Sequence, residues 1–141
     1  MAQVLQVLFL CTGNSARSQM AEGILRAKGG DKFKVFSAGT RPQGVNPLAI
    51  KVMAEHGIDI SEQKSQHIDE FLEQPLDVVI SVCDNAQNDC PIFPRPVTRL
   101  HWSHPDPAAV TGEEAQCLQA FRDVYALIEQ RIQMWLEEEG Q

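Results

Sequence analysis

Cys11 and Arg17 are separated by five residues, Thr12, Gly13, Asn14, Ser15 and Ala16, and Ser18 follows at once. A thiol and a guanidinium at this spacing can act together on a tetrahedral oxyanion. The five intervening residues are small or polar, so several backbone N–H groups can converge at a helix N-terminus, where unpaired donors and the helix dipole favour an anion. The planar fork of Arg17 then binds two oxygens of a phosphate-like ion while the Cys11 thiolate attacks its central atom. Ser18 can donate a hydrogen bond to the sulfur. The candidate oxyanion cradle is therefore Thr12, Gly13, Asn14, Ser15, Ala16 and Arg17, with Cys11 beneath it.

Local sequence supplies the elements that must hold this loop. The apolar run from Val4 to Leu10 predicts a central strand covered on both faces, and Gln19 to Lys28 predicts a helix stopped by Gly29 and Gly30. Lys32 to Gly39 alternates polar and apolar residues and predicts a second strand. Asn46 followed by Pro47 predicts an N-cap and first turn for a helix over Leu48 to His56, ended by Gly57. A short helix is expected from Ile68 to Glu73, and a third buried strand from Asp77 to Cys83. After an irregular connection over Asp84 to Pro96, Val97 to Trp102 predicts a fourth strand. The last helix, Glu113 to Glu138, carries Cys117, Phe121, Val124, Ile128, Ile132 and Trp135 as its expected buried stripe.

Alternating strands and helices predict an α/β fold built on a parallel sheet with right-handed crossovers. Ligands of such sheets bind beyond the carboxyl ends of the strands. The Cys11 loop, Cys83 at the end of the third strand and Asp106 after the fourth all fall on that rim.

With 141 residues the chain is read as one domain, residues 1–141. Its 12 Lys and Arg against 19 Asp and Glu give a net charge of −7, without a basic run, which argues against a nucleic-acid partner. The first residues lack a basic stretch followed by a cleavable apolar segment, and nowhere do about 18 apolar residues run together. The expectation is a soluble, cytoplasmic monomer without a membrane partner. Four cysteines, Cys11, Cys83, Cys90 and Cys117, are in that compartment expected to be reduced, catalytic or buried. Cys117, on the apolar stripe, is read as core. A zinc site would need Cys83, Cys90, His101 and His104, and the Cys-x6-Cys spacing is wide for one. No metal and no cofactor are expected.

The stretch Val7-Leu8-Phe9-Leu10-Cys11-Thr12-Gly13-Asn14-Ser15-Ala16-Arg17-Ser18-Gln19-Met20-Ala21-Glu22 resembles the opening of the low-molecular-weight protein tyrosine phosphatase superfamily. More narrowly it is similar to the thioredoxin-coupled arsenate reductases. Ser37 to Thr40, Gly57 to Ser61, Asp77 to Cys83 and His101 to Ala108 extend the similarity over nearly the whole chain. The resemblance implies a three-layer α/β fold, a four-stranded parallel sheet with helices on both faces.

It also implies a reaction. In the arsenate reductases a cysteine ends the third strand and another lies seven residues later, the places of Cys83 and Cys90 here. The implied relay starts with Cys11 attacking arsenate. Cys83 then attacks Cys11 and releases arsenite, and Cys90 moves the disulfide to Cys83–Cys90, where thioredoxin reduces it. Asp106 matches the family's general acid. Pro105 stands where many relatives carry another acidic residue. A weak phosphatase side activity is expected, because attack on phosphate needs only Cys11, Arg17 and Asp106.

The alternatives are a dedicated phosphatase in which Cys83 and Cys90 are incidental, or a non-catalytic oxyanion and redox sensor. Tyr125 is the single tyrosine of the chain, which argues against the tyrosine-rich substrate wall of many phosphotyrosine enzymes. Some family members also hold potassium beside the first loop. Asn14, Glu22 and Ser37 match three of its ligand positions, but Gln66 stands at the fourth, which is acidic in those members, so weak or absent potassium dependence is expected.

Overall fold

Val7, Leu8, Phe9 and Leu10 are all completely buried. Consecutive strand residues point to opposite faces, so a run of this kind belongs to a strand covered on both sides. In the computed structural model, which describes residues 4–82, 93 and 96–139, this run lies in β1 (Leu5–Cys11). β1 pairs in parallel with β2 (Phe33–Gly39) on one side and β3 (Val78–Ser81) on the other. β4 (Thr98–His101) pairs in parallel with β3, giving the order β2-β1-β3-β4. This is the four-stranded parallel α/β sheet expected from the sequence.

The helices are α1 (Arg17–Gly29), α2 (Pro47–Glu55) and α3 (Glu114–Glu139), which pack against one another. Phe33 of β2 meets Trp135 of α3, whereas Phe36, three residues on and therefore on the opposite face, meets Phe71 of the 3-10 turn Ile68–Phe71. The Asn46 cap forms as expected, its Oδ1 accepting from Leu48 N at 2.8 Å, a contact worth about 1 kcal/mol. A bidentate pair from Arg122 to Glu55, at 2.8 and 3.0 Å, ties α3 to α2. No helix of the described residues is long and apolar enough to cross a membrane.

The structure corrects several expectations. α1 begins two residues earlier than its apolar spacing indicates, which places Arg17 in its first turn. The expected helix over Ile68 to Glu73 is a single 3-10 turn. Cys117 is half-exposed, with its Sγ 3.4 Å from the Val110 carbonyl oxygen, and is not core. The buried seam of α3 instead runs through Leu118, Phe121, Tyr125, Ile128, Ile132 and Trp135, spaced three, four, three, four and three, so Cys117 lies one step off it. Val124 is buried beside that seam.

Candidate active site

β1 delivers Cys11 to the carboxyl edge of the sheet and α1 starts at Arg17, which leaves Thr12 to Ala16 as the turn between them. Ala16 is the N-cap and has no side chain to cap the helix. The first N–H groups of α1 are therefore not consumed by a capping side chain, and an anion can take them.

A second loop sets the direction of these donors. Thr40 N donates to Cys11 O at 3.3 Å, Arg41 N to Thr12 O at 2.8 Å, Gln43 N to Gly13 O at 2.9 Å and Asn46 N to Ser15 O at 2.9 Å. The Asn14 carbonyl accepts from Gln19 Nε2 at 3.0 Å. With its carbonyls held on the outside, the turn presents its N–H groups to the interior of the loop. β2 meets this turn closely at Gly39: a Cβ there would lie 2.6 Å from Thr12 O and 3.0 Å from Asn14 N.

The resulting pocket, about 230 Å³, is lined by Cys11, Thr12, Gly13, Ser15, Ala16 and Arg17, with Gln43, Asp106 and Ala108 at its margin. Cys11 is buried and its sulfur has two neighbours that can donate: Asn14 N at 3.2 Å and Ser18 Oγ at 2.8 Å. Asn14 decides the direction of the second contact. Its Oδ1 faces Gln66 N at 2.8 Å, which can only donate, so its Nδ2 faces Ser18 Oγ, also at 2.8 Å. Ser18 thus accepts from Asn14 and turns its own proton to the sulfur. Asn14 is completely buried and has φ +46°, a left-handed conformation that Asn tolerates better than most residues.

Arg17 is anchored from the opposite side. Its Nη1 donates to the His104 carbonyl at 3.0 Å, and its Nη2 lies 3.9 Å from Asp106 Oδ2. The other carboxylate oxygen of Asp106 caps the 3-10 turn Pro107–Ala109, accepting from Ala108 N at 3.0 Å. Asp106 is therefore both the turn residue that its proline predicts and a group lining the pocket above Cys11. His104 N bonds Val82 O at 3.3 Å, and its Nε2 is buried without a hydrogen-bond partner among the described residues. Burial, followed by the charges of Arg17, Arg131 and His101, holds its ring below the usual histidine range, so it is neutral near pH 7.

Cys11, Thr12, Gly13, Ser15, Ala16, Arg17 and Asp106 thus line one pocket, while Asn14 and Ser18 are buried behind it with their contacts on Cys11 Sγ. Cys83 and Cys90, with most of the connection from Asp84 to Pro96, lie outside the described residues, and so does the cysteine half of the zinc reading. Val82, the residue before Cys83, donates to Leu10 O at 2.8 Å, beside Cys11. His101 Nδ1 lies 2.6 Å from Ser81 Oγ.

Glu22 and Ser37, which the sequence grouped with Asn14 beside the first loop, do meet: Ser37 Oγ donates to Glu22 Oε1 at 2.5 Å, and the half-exposed Arg26 pairs with Glu22 Oε2. Sequence reasoning missed the Thr40–Asn46 backbone contacts, the Gln43 wall and the part that Gln19, Arg26 and Gln63 play in this cluster.

Residues 6–140 match the family model described as low molecular weight phosphotyrosine protein phosphatase. The chain is 47% identical over 131 residues to a protein of Halalkalibacterium halodurans named arsenate reductase, covering 93% of this chain and 94% of that one. It also resembles a solved arsenate reductase in the phosphate binding state, with a TM-score of 0.77 and 35% identity over 96% of this chain and 98% of the other. A thioredoxin-dependent arsenate reductase of Corynebacterium glutamicum superimposes with a TM-score of 0.67 and 25% identity, over 94% of this chain and 64% of that one.

Proposed function

This chain belongs to the low molecular weight phosphotyrosine protein phosphatase family, and within it we propose that it is an arsenate reductase using Cys11, Cys83 and Cys90 in turn. The observation that carries the reading is Cys11 beneath a pocket bounded by the Thr12 to Ala16 turn, Arg17 and Asp106. A phosphatase needs that pocket and no more. The choice of reductase rests on Cys83 and Cys90 in the sequence and on relatives of nearly equal length that bear the name.

In the proposed reaction the loop N–H groups and Arg17 hold arsenate while Cys11 Sγ attacks arsenic. A hydroxide-like oxygen leaves with a proton from Asp106. The Cys83 thiolate then attacks Cys11 Sγ. The sulfur–arsenic bond breaks, its electron pair stays on arsenic, arsenic(V) becomes arsenic(III), and arsenite departs. Cys90 attacks Cys83 and frees Cys11, and an external dithiol protein reduces the Cys83–Cys90 disulfide. Thioredoxin is the donor we propose, a reading supported by the thioredoxin-dependent Corynebacterium glutamicum relative.

The test is arsenate-dependent NADPH consumption in the presence of thioredoxin and its reductase. Wild type is expected to consume NADPH, and Cys83→Ser is expected to lose this activity while retaining aryl phosphate hydrolysis. Absence of arsenate-dependent consumption in the wild type overturns the reading, and loss of both activities in Cys83→Ser overturns the relay.

A further inference from the structure

Glu22 is a carboxylate buried beneath the oxyanion loop, with its side chain 11% exposed. A buried charge needs a partner of opposite sign, and the partner could be a bound cation or a side chain. Some members of the resembled family hold potassium among residues matching Asn14, Glu22 and Ser37. Here the oxygens of Glu22 and Asn14 already accept hydrogen bonds within the chain. Glu22 Oε1 accepts from Ser37, Glu22 Oε2 accepts from Arg26, and Asn14 Oδ1 accepts from the backbone of Gln66. The Arg26 guanidinium, its side chain half-exposed, already supplies the positive charge, so Glu22 needs no bound potassium ion for compensation.

The guanidinium is held like a coordinated cation, by oxygens from three parts of the chain. Besides Glu22 on α1, Arg26 donates to the Val35 carbonyl on β2 at 3.0 Å and to Gln63 Oε1 at 2.9 Å. Because the guanidinium can only donate, it fixes the Gln63 amide with Nε2 pointing away from it. That Nε2 donates to Gln19 Oε1 at 2.7 Å and to Gln19 O at 3.1 Å. Gln19 Nε2 in turn donates to Asn14 O and to Lys64 O, both at 3.0 Å. An unbroken chain of oriented hydrogen bonds therefore runs from Arg26 through two amides to the carbonyl of the residue whose N–H faces Cys11 Sγ.

We infer that Arg26 is a built-in cation for the oxyanion loop, a positioning residue that compensates Glu22 and orients Asn14 through Gln63 and Gln19, in the role a bound potassium ion would otherwise have. The inference rests on the loop binding an oxyanion, not on arsenate as substrate. Failure of arsenate turnover therefore leaves it standing, and the test uses inorganic phosphate and thermal unfolding.

The midpoint of unfolding and the phosphate dissociation constant are measured in potassium chloride and in tetramethylammonium chloride at equal ionic strength. Wild type is expected to behave alike in the two salts. Arg26→Gln is expected to unfold at lower temperature and bind phosphate severalfold more weakly in tetramethylammonium. Potassium should restore a substantial part of both losses, and Arg26→Lys should restore them without potassium. In the double variant Glu22→Gln with Arg26→Gln the potassium response should vanish. A wild type stabilised by potassium overturns the inference. So does Arg26→Gln binding phosphate as tightly as wild type, or losing affinity in a way that neither potassium nor Arg26→Lys repairs.

Discussion

The Asn14 side-chain amide donates to Ser18 Oγ across 2.8 Å, and this contact turns the serine hydroxyl toward Cys11 Sγ, also 2.8 Å away. The orientation originates 52 residues along the chain, where the Gln66 backbone N–H fixes the Asn14 amide. The Cys11 sulfur therefore does not depend on a freely rotating hydroxyl for this contact.

Ser18→Ala removes a hydrogen bond to the sulfur that is strongest when the sulfur is anionic. Bonds to charged groups contribute about 1.5–3 kcal/mol. The expected result is a kcat for aryl phosphate hydrolysis lower by about 10–100-fold, with KM little changed because Arg17 and the loop donors remain. Steady-state kinetics check this, and an unchanged kcat would remove Ser18 from the nucleophile's environment.

Gly39→Ala places a methyl group against backbone, 2.6 Å from Thr12 O. Neither strand nor turn can yield without moving the cradle. Overpacking of this kind costs about 1–3 kcal/mol. Urea unfolding is expected to show that loss, together with weaker phosphate binding, since the displaced segment is the oxyanion turn itself.

Stability should fall on the acid side through His104. Its folded-state pKa is depressed below the ordinary 6.5 by burial and then by Arg17, Arg131 and His101. The unfolded chain therefore takes up the proton first, so the stabilising contribution is complete above about pH 6.5 and is lost as pH falls through the lower folded value. Urea midpoints for wild type and His104→Phe, taken between pH 8 and pH 5, test this. The variant is expected to lose less stability over that range, and parallel curves would exclude His104 as the source.

The parts of the site legible in the sequence are those made by neighbours in the chain. Cys11, Arg17 and Ser18 can be read because a strand end, a short turn and a helix start lie within a few residues. Backbone donors at a helix N-terminus follow from helix geometry alone. The central strand was visible in Val7 to Leu10 for a similar reason, since an uninterrupted apolar run has few other uses. Even Asp106 at the rim followed from parallel topology, which sends every strand's carboxyl end to one edge.

What only the tertiary structure decided depends on residues far apart. Backbone contacts from Thr40, Arg41, Gln43 and Asn46 aim the loop's N–H groups, yet no side-chain type announces a backbone hydrogen bond. Arg26, Gln63 and Gln19 are ordinary surface-type residues in sequence, and they become a support for the loop only where α1 meets β2 and the segment before Gln66. Cys117 shows the converse. Helical periodicity put it on the apolar face, but the seam is set by where α3 lies on its neighbours, and that seam passes through Leu118 instead. Periodicity identifies a face only to within one residue; the packing of the helix chooses which.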